Sequence, residues 1–210
     1  ELFLFRPVMR KIKREEVTML LAMGTAVFLE SAALLIFGEK QRGIPSVVTG
    51  VQYVGGAILP NSRIMVMIIA ALLIISLMLF IGRTRPGRAL RALAQDREAT
   101  ALQGVNLKWI SALGFGLGAG LAGLSGGLLI ALFAIHTGAG TAISIKAFIM
   151  IMIGGAGVLS GAILGGFVLG FVESIAFALL PGSVTFLVIF TLVIVFLIVR
   201  PHGIMGKPWG

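Results

Sequence analysis

Long apolar stretches separated by short polar segments dominate the chain. Three of them, at about 17–37, 64–82 and 109–135, are as long as the roughly 20 residues that a helix needs to cross a bilayer. A fourth, at 183–199, is the most uniformly apolar. The pattern therefore predicts an all-α, polytopic membrane protein.

The stretch at 142–180 is too long for a single span. The glycine-rich sequence GGAGVLSGAILGG interrupts it at 154–166. It forms either two short spans, at about 142–157 and 161–180, or a re-entrant segment followed by a span.

The charges place the chain in the membrane class and give it an orientation. Only 12% of the 210 residues are charged, against about 25% in soluble domains. Because cytoplasmic loops carry an excess of Lys and Arg, we place 1–16, 83–108 and the tail after 199 inside, where they hold 13 of the 17 basic residues. The outer side holds the other four, which are Lys40, Arg42, Arg63 and Lys146. With both ends inside the number of crossings is even, so 142–180 crosses twice and gives six. The net charge of +9 is explained in this way without nucleic acid.

Patterns for catalysis or metal binding are missing from the sequence. It has no cysteine, two isolated histidines at His136 and His202, no Walker motif and no Ser/His/Asp set. The sequence GAGLAG at 118–123 matches the dinucleotide pattern G-x-G-x-x-G, but it lies within an apolar span with no strand before it. The sequence therefore does not predict an enzyme.

Glycines four residues apart recur in the apolar stretches. This spacing allows two membrane helices to approach closely, so tight helix packing is the favoured interpretation and lining of a permeation path is the alternative. The pairs are Gly114/Gly118, Gly116/Gly120 and Gly123/Gly127, with Gly157/Gly161/Gly165 as a chain of three.

A charged segment, RTRPGRALRALAQDREATALQGVN at 83–106, separates two of the apolar stretches. Thr84 is a candidate N-cap, Pro86 suits the first helical turn, and Gly104 is a natural stop, so a helix is predicted over about 86–104. Such an exposed helix of mixed charge fits a cleft on another protein, whereas the alternative is an ordinary basic loop. Leu90, Leu93 and Ala94 are expected to face the protein, and Arg88, Arg91, Gln95 and Asp96 to face outward.

The charged segment also carries a recognisable motif. Glu98-Ala99 followed by Gly104 has the E-A-x-x-x-x-G spacing of the cytoplasmic EAA loop of ABC importers. Further matches are FRPV at 5–8, RPGRA at 85–89, GVN at 104–106, KAF at 146–148, GGAG at 154–157, GAILGG at 161–166, LGFVE at 169–173 and RPHGIMG at 200–206. Together these motifs resemble the branched-chain amino acid permeases of ABC importers. Since that family has further spans upstream of Arg6, residues 1–210 resemble the later part of a single permease domain.

The resemblance implies a set of partners. ABC ATPase subunits would dock on the charged segment, an external binding protein would deliver substrate, and a second permease subunit, homologous or identical, would complete the path in the lipid. ATP would be bound by the partner subunits, so no cofactor is expected in this chain. The implied docking residues are Arg88, Arg91, Asp96, Arg97, Glu98, Ala99 and Gly104.

Charged residues and unwound backbone inside the predicted spans are the candidate substrate contacts. Glu30 and Glu173 lie within predicted spans, where a charge costs roughly 2.5–3.5 kcal/mol. Each either meets the ammonium group of an amino acid or bonds to a neighbouring helix. Lys146 is expected to extend its ammonium to the membrane interface. Unwound backbone is tolerated where it lines a cavity, which adds Gly154, Gly155 and Gly157 to the candidates.

The predicted function is the permease subunit of an ATP-driven importer for branched-chain or related small amino acids. A permease of the same type for urea or short amides is one alternative. An ion-coupled carrier or channel that uses Glu30 and Glu173 is another.

Overall fold

The computed structural model describes residues 15–41, 43, 50–54, 57–155 and 157–206. The motif at 5–8, Arg42 and Lys207 lie outside these residues. The helices within them are α1 (Glu15–Phe37), α2 (Asn61–Arg83), α3 (Arg85–Gln95), α4 (Arg97–Leu102), α5 (Leu107–Ile130), α6 (Ala139–Gly154), α7 (Leu159–Leu179) and α8 (Gly182–Val199).

The six apolar helices lie at the six predicted segments, which confirms the helical, polytopic fold class. By length and composition, α1, α2, α5 and α7 are each able to cross a membrane, and α6 and α8 are shorter apolar helices. The segment predicted at 109–135 is helical only to Ile130, after which Ala131 caps the helix and a turn begins.

A short β-hairpin departs from the all-helical prediction. Strand β1 (Val51–Val54) pairs antiparallel with β2 (Ala57–Pro60), with Tyr53 opposite Ile58. Its sequence carries the usual signal, because β-prone residues flank the pair Gly-Gly at 55–56. The hairpin directly precedes α2.

The chain forms two compact units, residues 1–137 and 138–210. In the first unit, the short helix α3 packs against the end of α2 and against α5. The charged segment is therefore attached to the two apolar helices that flank it in sequence.

In the second unit, α6, α7 and α8 pack as successive antiparallel helices. The closest contact is between α6 and α7, where glycines bring the backbones together: a Cβ on Gly154 would lie 2.7 Å from the nitrogen of Ala162, and one on Gly161 would lie 2.9 Å from the carbonyl carbon of Gly154. The buried core of this unit consists of Ile149, Ile153, Leu169, Ala176, Ile189 and Val193.

The interruption between α6 and α7 is shorter than predicted. It occupies 155–158 rather than 154–166, since α7 begins at Leu159 and includes Gly161 and Gly165. Those glycines pack against α6, and this packing explains why a glycine-rich sequence is helical here. The prediction of two helices in 142–180 is confirmed.

Candidate functional site

The charged segment consists of two short helices rather than one. Thr84 caps α3 as predicted: its Oγ1 accepts a hydrogen bond from the Gly87 backbone N–H at 3.1 Å. The expected continuous helix is wrong, because Asp96 adopts an extended conformation (φ −151°, ψ 113°) and separates α3 from α4. The carboxylate of Asp96 then caps α4 by accepting from the N–H groups of Glu98 at 2.8 Å and Ala99 at 3.0 Å.

The end of the segment follows the prediction. Gly104 has φ +76°, a left-handed conformation that favours glycine, and its N–H donates to the Ala101 carbonyl at 3.1 Å. Asn106 then caps α5 by accepting from the Trp109 N–H at 3.2 Å. The caps at Asp96 and Asn106 and the turn at Gly104 therefore fix the path of the chain between α3 and α5.

Close backbone contacts attach α3 to its neighbours. Gly87 is buried, and a Cβ there would lie 2.6 Å from the Cα of Ile81 in α2. A Cβ on Gly114 of α5 would lie 2.8 Å from a Leu90 methyl group, so Leu90 fills the space that this glycine leaves. A displacement of α3 would therefore be transmitted to both apolar helices.

The outer face of the charged segment is exposed. Leu90 and Leu93 are half-buried as expected, but Ala94 is exposed, so the prediction that it faces the protein is wrong. The break at Asp96 explains this, because α3 ends one residue after Ala94 and leaves it at the helix end. The implied docking residues are all exposed, and they are Arg88, Arg91, Asp96, Arg97, Glu98, Ala99 and Gly104.

These exposed residues are not equivalent. Asp96 uses its carboxylate to cap α4, and Arg91 Nη2 donates to the Gly82 carbonyl at 3.4 Å. Glu98 is exposed and is not a member of the Lys146–Glu173 ion pair that the described part of the chain contains. Its carboxylate is therefore open to a partner. Sequence reasoning missed Leu102, which shares a face of α4 with Glu98 at i+4 and is 89% exposed.

A second candidate site lies in the 138–210 unit. Lys146 Nζ of α6 donates to Oε1 of Glu173 in α7. The Lys146 ammonium is therefore paired with a carboxylate on the adjacent helix, and the expectation that it extends to the membrane interface stays a prediction. The Lys146 ammonium also lies 5.7 Å from the centroid of the Phe186 ring, which meets Phe177 edge-on at 5.9 Å.

The glycines at the interruption occupy different environments. Gly154 and Gly155 are buried, whereas Gly157 is exposed with φ +83°. The turn at 200–206 covers the end of α6, since the Ile204 N–H donates to the Ile153 carbonyl at 2.8 Å and the Met205 N–H to the Gly154 carbonyl at 3.0 Å. The RPHGIMG motif therefore satisfies carbonyls that the end of α6 would otherwise leave without partners.

Within the described residues, Glu30 and the predicted glycine pairs of α5 do not come together in a site. Glu30 is exposed on α1. Of the glycines of α5, Gly114 meets Leu90, while the others face open space, so their helix-packing role stays a prediction. The glycines at which an added Cβ would meet no heavy atom within 4 Å include Gly116, Gly118, Gly120, Gly123 and Gly127.

Comparison with known proteins gives the family of the chain. A family model described as "Branched-chain amino acid transport system / permease component" matches residues 6–198. No solved structure gives a significant match.

Curated relatives have the same description. The chain is 36% identical over 193 residues to the high-affinity branched-chain amino acid transport system permease protein BraD of Pseudomonas aeruginosa. The aligned region covers 89% of the chain and 63% of BraD. It is 34% identical over 210 residues to the high-affinity branched-chain amino acid transport system permease protein LivH of Escherichia coli. That aligned region covers 97% of the chain and 68% of LivH. A probable LivH of Methanocaldococcus jannaschii is 31% identical over 148 residues, or 67% of the chain and 47% of the relative.

The chain thus spans about two thirds of the length of BraD and LivH. The family match covers nearly all of the printed sequence, from Arg6 to Ile198. The chain belongs to the family of permease components of branched-chain amino acid transport systems.

Proposed function

We propose that this chain is part of the membrane permease subunit of an ATP-driven importer for branched-chain or related small amino acids. The family and the names of the relatives support this function over a carrier of urea or short amides and over an ion-coupled carrier. The structural observation that carries it is the charged segment, which is capped at both helix starts, exposed on its outer face and packed onto α2 and α5.

The charged segment transmits the work of ATP hydrolysis in this proposal. An ATPase subunit holds Glu98 and Leu102 of α4 together with Arg88 of α3 in a cleft. When the ATPase pair closes, α3 moves with the cleft, and the contacts of Gly87 with Ile81 and of Leu90 with Gly114 carry the movement to the apolar helices.

The same proposal assigns partners and orientation. The permease lies in the prokaryotic cytoplasmic membrane with the charged segment and both ends of this chain inside, which the distribution of basic residues supports. Its partners are ABC ATPase subunits, a second permease subunit and an external binding protein. ATP is bound by the ATPase subunits.

The substrate path is proposed to pass the second unit. Glu173 is the best-placed candidate because its side chain, although paired with Lys146, is 19% exposed. Gly157 is exposed at the interruption, whereas Gly154 and Gly155 are enclosed by their own chain. Glu30 is a candidate on α1, where it is exposed.

The test is reconstitution of the full-length permease with its proposed ATPase and binding-protein partners. Uptake of labelled leucine should require both ATP and the binding protein, and liganded binding protein should stimulate ATP hydrolysis. Glu98→Gln should weaken this stimulation about tenfold or more, because the proposed cleft encloses the carboxylate and a hydrogen bond to a charged group contributes about 1.5–3 kcal/mol.

Glu16→Gln is the matched control. It makes the same change at a glutamate at the start of α1, on the inner side but outside the charged segment, so stimulation should be unchanged. Uptake driven by an ion gradient without ATP, or uptake of urea in place of amino acids, would refute the proposal. Equal stimulation in wild type and the Glu98→Gln variant would refute the docking role of Glu98.

A further inference from the structure

The ion pair between Lys146 and Glu173 has no evident packing role. The helices α6 and α7 are already held together by backbone contacts at Gly154, Gly161 and Gly165. Accessible ion pairs contribute little to stability, typically about 0–1 kcal/mol. An ionisable residue inside a membrane span is costly and usually functional. A role other than packing is therefore expected for this pair.

Both charged groups are accessible from outside the unit. The side chain of Lys146 is 37% exposed and that of Glu173 is 19% exposed, so another molecule can reach them. Two aromatic rings lie beside them: Phe186 is 5.7 Å from the ammonium, and Phe177 packs against Phe186. These rings are also about half exposed. Opposite charges and an apolar wall therefore occur together at one position of the unit.

This arrangement is complementary to an amino acid with an apolar side chain. Such a molecule carries an ammonium and a carboxylate on the same carbon, and its side chain prefers an apolar surface. We propose that Lys146 and Glu173 form a zwitterion site, in which Glu173 accepts from the substrate ammonium, Lys146 donates to the substrate carboxylate, and Phe186 contacts the side chain. The proposal rests on the proposed function and supplies the substrate contacts for it.

The pairing of Lys146 with Glu173 then describes the site without substrate. Each residue neutralises the other, so no unpaired charge stands within the span when the site is empty. When a zwitterion enters, one ion pair is exchanged for two, and the net charge of the site stays zero. A molecule that carries only the ammonium or only the carboxylate would leave one protein charge without a partner, which favours zwitterions over simple amines and acids.

The test measures binding at the site by thiol labelling. Gly170 lies three residues before Glu173 on α7, and a Cβ there meets no atom within 4 Å, so Gly170→Cys introduces a reporter without steric conflict. The printed sequence has no cysteine, and the variant is made in a full-length permease that is otherwise cysteine-free, within the reconstituted complex. A water-soluble thiol reagent should label it, and L-leucine should slow the labelling.

Analogues and charge variants identify the groups that bind. Isoamylamine lacks the carboxylate of leucine, and isocaproate lacks its ammonium. Lys146→Met should weaken protection by leucine about 10- to 100-fold, as expected for one charge-assisted hydrogen bond. It should strengthen protection by isoamylamine, because no lysine charge is then left without a partner. Glu173→Gln should likewise weaken protection by leucine and strengthen protection by isocaproate.

The double variant Lys146→Met with Glu173→Gln separates binding from a structural role. A purely structural pair predicts that removal of both charges restores leucine protection to the wild-type level. The zwitterion site predicts that protection stays lost although the thermal unfolding temperature recovers. Gln52→Cys, at an exposed position of the β-hairpin, is the control reporter that leucine should not protect.

The outcomes distinguish this inference from the proposed function. ATP-dependent leucine uptake that persists in the double variant, or a Gly170→Cys reporter that is inaccessible to the reagent, overturns the zwitterion site and leaves the function standing. Protection by leucine in a complex that does not use ATP for uptake overturns the function and leaves the site standing.

Discussion

The glycine contact between α6 and α7 gives a quantitative prediction, the effect of Gly165→Ala. A Cβ at this position would overlap the Met150 carbonyl oxygen and would lie 2.9 Å from the nitrogen of Gly154. Because ordinary contact begins at about 3.4 Å and both neighbours are backbone, the overlap with the carbonyl oxygen requires the two helices to separate by at least roughly 1 Å. Overpacking of this kind costs about 1–3 kcal/mol.

Gly170→Ala is the matched control for this variant. It makes the same substitution in the same helix at a position where the added Cβ meets no atom within 4 Å. Both variants gain the same preference of alanine over glycine in a helix, about 0.5–1 kcal/mol, so this gain cancels when they are compared. The difference between them therefore isolates the steric cost.

The assay is thermal unfolding of the detergent-purified full-length permease. With about 2–4 °C per kcal/mol for a chain of this size, Gly165→Ala should unfold roughly 2–12 °C below Gly170→Ala. Equal unfolding temperatures would refute the argument that the α6–α7 contact depends on the absence of a side chain at Gly165.

Two further predictions concern the charged segment and the turn at 200–206. Asp96→Ala should lower ATP-coupled uptake because a lost cap costs about 0.5–2 kcal/mol and releases the start of α4, whereas Asp96→Asn keeps the cap and should retain uptake; equal uptake in both variants would contradict this. Gly203→Ala should lower the unfolding temperature more than Gly38→Ala, since both glycines have φ +73° but only Gly203 has a neighbour, the Gly155 nitrogen at 2.5 Å from an added Cβ. Equal shifts would show that the left-handed conformation alone sets the cost.

Apolar length and turn chemistry predicted much of the fold. The apolar stretches around 64–82 and 183–199 are long enough and uniform enough that a helix was predicted correctly. Thr84, Pro86 and Gly104 correctly predicted where the helices of the charged segment begin and end. The break at Asp96 was missed because every residue nearby favours a helix, and the decisive interaction is a side chain that caps the residues after it. The end of α5 at Ile130 was missed because the residues after it are equally apolar.

The substrate-path candidates show a different limit of sequence reasoning. Glu173 was identified from its charge within a span, but Lys146, which is 27 residues earlier, was expected to extend to the interface. The sequence alone did not show which positions of α6 and α7 meet. For the same reason, the roles of Gly154 and Gly155 could not be separated from that of Gly157.

The register that brings Lys146 to Glu173 is set by the glycines of the same two helices. Gly161, Gly165, Leu169 and Glu173 recur every four residues and so share one face of α7, while Lys146, Met150 and Gly154 share one face of α6. Gly161 meets Gly154, and Gly165 meets Met150, so the antiparallel register continues to Lys146 opposite Leu169.

The side chain of Lys146 leans toward the start of α6, as all helical side chains do, and therefore reaches one turn further to Glu173. A substitution that separates the helices at Gly165 should for this reason also disturb the ion pair. The glycine contact and the charged pair are thus parts of one helix face, and the close approach of the backbones places the charges that we propose to bind substrate.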